Sequence, residues 1–174
     1  FWCLCFFCRV LGDLPRGRTA FVLPPDCLCR CGYGGCRFVC GYPMTPGSLA
    51  LHWMAAHAKQ YDVTIKHTED EIAAINMAIG AWYAGARALA TTSGGGFALM
   101  TEGISLARMI ETPVVVHLAQ RPGPATGLPT RTAQGDLLFA IHASQDEFPR
   151  FVLAPGTPAQ AFEVTRRAFD LADK

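Results

Sequence analysis

Three acidic residues, Glu69, Asp70 and Glu71, stand in a row ahead of an apolar run, and from Ile72 to Ala81 only Asn76 is polar. A carboxyl at the mouth of such a segment has two readings. In the first turn of a helix it suits the exposed N–H groups and the positive end of the dipole. Drawn into the core, it has a raised proton affinity and becomes a general acid or base once a partner faces it. Three acids exceed what one cap requires. Glu71 lies nearest the apolar run and is the candidate for the second role. The residues alone leave both readings open.

Other residues carry chemistry of their own. Ser93-Gly94-Gly95-Gly96 follows a short apolar run and precedes a helix-length segment. Backbone N–H groups at such a junction can cradle an anion or a flat ring. The stretch is equally a tight turn that needs small residues. It is no dinucleotide fingerprint, since Leu99 stands where G-x-G-x-x-G needs glycine, and it lacks the Lys-Ser/Thr of a P-loop. Arg121 ends the most β-branched run in the chain and opens a long loop. It can grip a carboxylate with two prongs, or it is a solvated charge at a strand end. His52 and His57 are five apart, which puts them on different faces of a helix and suits no metal. His117 and His142 are isolated and read as structural.

All eight cysteines lie between Cys3 and Cys40. Cys5 and Cys8 make one C-x-x-C, and Cys27 to Cys40 read C-x-C-x-C-x4-C-x3-C. Two C-x-x-C pairs would point to zinc; one pair supports a metal weakly, and the cluster-binding run C-x-x-C-x-x-C is missing. No disulfide scaffold is expected from a body free of cysteine from Gly41 to Lys174, which reads as intracellular, in the cytoplasm. The opening FWCLCFFC lacks the basic start and the cleavage site of a secretion signal.

The elements that must position these residues alternate from Arg37 onward. Apolar runs RFVCGYP, DVTIKHT, ALATT, TPVVVHLAQR and RFVLAP are separated by helix-length segments LALHWMAAHAKQY, EDEIAAINMAIGAWYAG, FALMTEGISLARMI and DLLFAIHAS, with TPAQAFEVTRRAFDLADK last. The run EDEIAAINMAIGAWYAG is apolar or small on nearly every face, which predicts a buried helix. Continuous apolar strands between helices predict an α/β fold, a mostly parallel sheet with helices on both faces. Ligands of such sheets sit at the carboxyl ends of the strands. That rule selects the turn at Thr45, the acidic triplet, the glycine turn and the loop after Arg121. At 51% hydrophobic and 17% charged the chain is expected to bury a core. Fifteen basic against fourteen acidic residues, with no basic aromatic-laced run, give no sign of a nucleic-acid surface, and no apolar run is long enough for a membrane span.

Four motifs taken together, GYPMTPGS, TEDEIAAINMAIGAWYAGARALATTSGGGF, VVVHLAQRPGPATGLPT and DEFPRFVLAPG, resemble the pyrimidine-binding domain of thiamine-diphosphate-dependent 2-oxoacid:ferredoxin oxidoreductases, in particular the alpha subunit of the 2-oxoglutarate type. The resemblance runs from Cys36 to the end, in the family's order and near its spacing. It divides the chain into residues 36–174, the thiamine-diphosphate pyrimidine domain, and residues 1–35, an atypical cysteine-rich segment without family counterpart. That segment is expected to be foreign or disordered, the product of a shifted reading frame or a fragment edge. The start at Phe1 fits an internal piece of a longer protein.

The resemblance implies roles. In thiamine enzymes a glutamate at the start of a buried helix hydrogen-bonds a ring nitrogen of the aminopyrimidine and so promotes deprotonation of the thiazolium carbon. Glu71 matches it, with Glu69 the rival. Thr45, in the Tyr-Pro-x-Thr-Pro turn, lies near substrate, and Arg121 matches the arginine that binds the oxoacid carboxylate. Thr126 and Gly127, in the Thr-Gly-Leu-Pro-Thr loop, are expected to line the same pocket, and Ser93 and Gly94 to contact the cofactor. The family's Ser-Gly-Pro-Gly turn has Gly95 in place of proline here. No Gly-Asp-Gly for a diphosphate-bound metal appears, since both Gly12-Asp13 and Gly135-Asp136 are followed by leucine. The chain is therefore expected to supply half a site and to bind no metal. A beta-type partner subunit would hold the magnesium ion, the diphosphate and an iron–sulfur cluster. The implied reaction is oxidative decarboxylation of a 2-oxoacid, 2-oxoglutarate or pyruvate, with coenzyme A and ferredoxin. The alternatives are a non-oxidative thiamine-dependent decarboxylase or carboligase, a non-catalytic truncated fragment, and a cysteine-rich metal module fused to an α/β domain.

Overall fold

The structure, a computed structural model, describes residues 34–174 and the backbone of Cys3–Cys8. Six strands form one sheet: β1 (Cys3–Cys8), β2 (Phe38–Gly41), β3 (Thr64–His67), β4 (Ala88–Thr92), β5 (Val114–Ala119) and β6 (Arg150–Leu153). Their order is β3-β2-β4-β5-β1-β6, and every pairing is parallel. Among the described residues five helices accompany them: α1 (Ser48–Tyr61), α2 (Glu71–Tyr83), α3 (Gly94–Met109), α4 (Leu137–His142) and α5 (Pro158–Ala172). The α/β architecture and the element order expected from Arg37 onward are those observed.

Burial explains the apolar runs. Every residue of β4 and β5 is buried, as befits strands in the middle of a sheet covered on both faces. Successive residues of β2 show the two coverings directly. Cys40 sends its thiol to the Ala74 carbonyl of α2, at 3.1 Å. Gly41, next along, faces Leu51 of α1. Neighbouring strand residues point to opposite faces, so α1 and α2 cover different sides. α2 and α3 pack closely because α3 offers Gly103, where a Cβ would stand 2.5 Å from Ile75 Cγ2.

One expectation is corrected by the burial of α2. The sequence predicts a helix buried on nearly every face after Thr68. In the fold α2 buries one stripe, Ala74, Ile75, Ala78, Ile79 and Trp82, while Ile72, Asn76, Met77 and Tyr83 are exposed. Its small and apolar outer face therefore turns away from the sheet. The backbone of Cys3–Cys8 pairs between β5 and β6. Cys27, Cys29 and Cys31 lie outside the described residues, and so do residues 9–33 of the segment expected to be foreign or disordered. Cys36 and Cys40 are free, buried thiols, both pushed up to about 12 chiefly by burial. Among the described residues no group of three or more potential ligands could hold a metal, and no helix is long and apolar enough to cross a membrane.

Two histidines settle into packing. His57 stacks on Trp53 with ring centroids 4.0 Å apart, whereas His52 lies nearer His67. His117 sits on β5, 7% exposed, with its Nδ1 2.8 Å from Thr91 Oγ1 of the neighbouring strand. Thr91 and His117 are register partners, which brings their side chains to one face. Burial drives the His117 pKa down to about 4 from 6.5. Between those values the unfolded chain binds a proton that the folded chain refuses. Stability should therefore fall as pH drops from 6.5 towards 4, by at most about 3 kcal/mol. Denaturant titrations at a series of pH values should show this slope in the wild type and a flatter one in His117→Gln.

Candidate functional site

All strands being parallel, the carboxyl ends of β2, β3, β4 and β5 open onto one edge, and there the four selected segments gather. The acidic triplet divides its labour. Asp70 is the N-cap of α2, its Oδ1 accepting from the Ala73 amide at 2.7 Å. The Thr68 hydroxyl donates to the Asp70 carbonyl at 2.8 Å, which fixes the approach to the helix. Glu69 is exposed. Glu71, at the first helical position, is 3% exposed, and its Oε1 has no hydrogen-bond partner among the described residues. Loss of hydration raises its pKa; Asp70 adds to this, while a backbone hydrogen bond and Arg121 oppose it.

The first three glycines of α3 each admit a different neighbour. A Cβ on Gly96 would collide with Thr92 Oγ1 and stand 2.5 Å from Glu71 Oε1. On Gly95 it would meet the Ala125 carbonyl at 3.4 Å. On Gly94 it would stand 2.6 Å from Asp136 Oδ1. The SGGG turn is thus a packing junction for a buried carboxyl, a loop and a second carboxyl. Gly95, which replaces the proline of the family turn, takes the loop.

Ser93 and Thr45 form the other part of the edge. The Ser93 hydroxyl lies 2.7 Å from the Ala119 carbonyl and 3.1 Å from that of Thr45. Arg121, 8% exposed, donates from Nη1 to the same Thr45 carbonyl at 2.8 Å. Its Nε is buried without a partner among the described residues. Of the predicted site residues, Thr45, Ser93 and Arg121 are joined by hydrogen bonds. Glu71 lies against Gly96 of the same turn, and Arg121 acts on it through charge. Thr126 is exposed on the loop, away from this network of bonds. Gly127 shapes that loop: its φ is +52°, and a Cβ there would overlap the Pro122 carbonyl.

Asp136 and Gln120 were not singled out by the sequence. Gln120 is buried and accepts from the Asp136 amide at 3.0 Å through Oε1. Burial raises the pKa of the Asp136 carboxyl, with Arg121 opposing, and its Oδ2 is unpartnered among the described residues. The signal available in the sequence was a lone acid at the far end of a loop, which any exposed cap would give.

The arrangement offers a buried proton-binding carboxyl, an arginine whose Nε lacks a partner among the described residues and a glycine-lined helix start. It therefore suits a ligand that shares a proton with a carboxyl and carries an anionic group. A family model described as pyruvate flavodoxin/ferredoxin oxidoreductase, thiamine-diphosphate-binding, matches residues 31–174. The chain belongs to this family. Subunit alpha of 2-oxoacid:ferredoxin oxidoreductase 1 from Sulfurisphaera tokodaii is 48% identical over 154 residues, 82% of this chain and 25% of the relative. The 2-oxoglutarate synthase subunit KorA of Archaeoglobus fulgidus is 44% identical over 138 residues, covering 79% of this chain and 40% of its own. A solved 2-oxoglutarate:ferredoxin oxidoreductase from Magnetococcus marinus, with 2-oxoglutarate, coenzyme A and succinyl-CoA bound, superposes with TM-score 0.82 at 36% identity. That match covers 94% of this chain and 30% of the other. The chain thus spans between 25% and 40% of the length of these relatives.

Within this thiamine-diphosphate-binding domain the Glu71–Gly96 contact is tight enough to test. Gly96→Ala should destabilise the protein by about 1–3 kcal/mol, the usual range for overfilling a packed site. Glu71→Ala in the same chain should recover part of that loss, since contacting residues are not additive. Thermal unfolding of the two single variants and the double variant measures it; simple additivity would mean that Gly96 does not press on Glu71.

Proposed function

We propose that this chain supplies the pyrimidine-binding half of a thiamine-diphosphate site in a 2-oxoacid:ferredoxin oxidoreductase, acting on 2-oxoglutarate or a similar 2-oxoacid with coenzyme A. The observation that carries the reading is Glu71: a carboxyl 3% exposed at the first position of α2, with a free Oε1 and a pKa raised by burial. A carboxyl so held is ready to share a proton with a ring nitrogen, and here that nitrogen would belong to the aminopyrimidine. Thiamine diphosphate supplies the electron sink for cleaving the bond beside a 2-oxo group.

The remaining assignments concern this chain's own residues. Glu71 is the catalytic carboxyl and the principal cofactor contact. Ser93 and Gly94 line the cofactor side. Ser93 holds the turn by bonding the Thr45 and Ala119 carbonyls. Arg121 receives the oxoacid carboxylate; its unpartnered Nε supports that assignment. Thr45 presents its turn beside that arginine, and Thr126 and Gly127 close the pocket from the loop. The relatives' names support the 2-oxoacid reaction, and the family's description supports the cofactor. A beta-type partner subunit would hold the diphosphate through magnesium and carry an iron–sulfur cluster. Electrons would leave to ferredoxin. We assign the complex to the cytoplasm, in keeping with a body free of cysteine from Gly41 to Lys174.

Reconstitution with the beta-type subunit tests the reading. Viologen reduction should require a 2-oxoacid, coenzyme A, thiamine diphosphate and magnesium. Glu71→Gln, which keeps the shape and loses the proton site, should lower kcat by on the order of 100-fold or more. Full activity in that variant would remove Glu71 from the chemistry. No reduction with any 2-oxoacid from an assembled complex would sink the reaction assignment.

A further inference from the structure

We propose that Asp136 is a positioning residue that latches residues 122–135 as a lid over the amino end of α3. The loop leaves the sheet at Arg121 and returns at Asp136, and its two ends are tied together, since Gln120 Oε1 accepts from the Asp136 amide at 3.0 Å. A surface loop of this length with joined ends is a compact unit packed by its own side chains. Inside it, the Leu128 amide donates to the Pro122 carbonyl at 3.1 Å, and the Arg131 amide to the Leu128 carbonyl at 3.0 Å.

The side chain of Asp136 does something unusual for its position. It is the N-cap residue of α4, yet it makes no capping bond to that helix. Its carboxyl lies instead over Gly94, at the start of α3, where a Cβ would stand 2.6 Å from Oδ1 and 2.7 Å from Oδ2. The amino end of a sixteen-residue helix favours a negative charge. Ala125, near the loop's tip, places its carbonyl against Gly95. The loop therefore touches the first turn of α3 at its base, through Asp136, and near its tip, through Ala125. Arg121 is covered at the root of the same loop. Glycine at position 94 lets the base of the loop seat, since a Cβ there would press on the Asp136 carboxyl, whereas at Gly95 a Cβ would only reach ordinary contact with the Ala125 carbonyl. The inference rests on the proposed function only in giving the lid a substrate beneath it.

Two measurements on wild type, Asp136→Ala, Asp136→Asn and Gly94→Ala test the latch. Hydrogen exchange is followed on the purified protein, and initial rates on the complex with its partner subunit. In Asp136→Ala and Gly94→Ala the Leu128 and Arg131 amides should exchange on the order of tenfold faster, with those of β4 and β5 unchanged. In Asp136→Ala the KM for 2-oxoglutarate should rise roughly tenfold, with kcat changed far less. Asp136→Asn, of the same shape but without the charge that the helix end favours, should speed loop exchange in the same sense and to a smaller degree. Unchanged loop exchange in Asp136→Ala would overturn the latch, whether or not KM moved. A general rise that includes β4 and β5 would overturn it too, by making Asp136 a residue of overall stability. Because exchange needs no thiamine chemistry, the latch can hold where the proposed reaction fails, and the reverse.

Discussion

The carbonyl oxygen of Thr45 is where three strand ends are held together. It accepts from Arg121 Nη1, just past β5, and from the Ser93 hydroxyl, just past β4, while its own turn leaves β2. Ser93 also reaches the Ala119 carbonyl, so the ends of β4 and β5 are tied to each other as well. Loops at the end of a parallel sheet have no ladder of their own to fix them. Bonds of this kind turn separate connections into one surface. Without them, Arg121 would be a long side chain free in its rotamers, and the glycine turn a hinge.

Given that frame, a carboxyl oxygen, Oε1 of Glu71, can be held out of water without a hydrogen-bond partner among the described residues. Burying a polar group that finds no hydrogen bond costs about 1–3 kcal/mol, and more when it is ionised. Glu71 meets that cost by taking up protons more readily, the change that fits it for proton transfer. Its burial is forced from several sides. Asp70 takes the cap and so leaves Glu71 to the first turn proper, Gly96 permits contact with Oε1, and Ala74 and Ile75 carry the next turn into the core. Structures keep such costs where function needs them and offset them in the core. Here the offset is the wholly buried pair β4 and β5, with Phe97, Met100 and Ile104 of α3.

Much of this was legible in the residues. The alternation of apolar runs and helix-length segments gave the parallel sheet, because strands buried on both faces cannot hide their composition. The prominence of Glu71 followed from its nearness to the apolar run. Which acid caps the helix was not legible, since capping depends on where one amide points. The outer face of α2 misled for a related reason: Ile72, Met77 and Tyr83 count as core by type, yet they face away from the sheet. The pairing of Cys3–Cys8 was hidden by a cysteine-rich composition that suggests metal chemistry before it suggests a strand. Asp136 was invisible because its meaning lies in a contact with Gly94, forty-two positions earlier (136 against 94).

The glycine turn joins these threads. A glycine run in a sequence reads as freedom, a turn or a cradle for an anion. In this fold its three positions each face a different group: Gly96 the Glu71 carboxyl, Gly95 the Ala125 carbonyl and Gly94 the Asp136 carboxyl, with the first and last leaving no room for a Cβ. Helix geometry sends successive residues about 100° apart, so three adjacent positions face three different neighbours. An acid on one side, a loop on the next and a second acid on the third can then surround one helix end without meeting. That separation lets Arg121 act on both carboxyls through charge, with no hydrogen bond to either among the described residues, and leaves its Nε without a partner. Larger side chains in the run would move at least one of the three away, and with it the reason for the other two to be there.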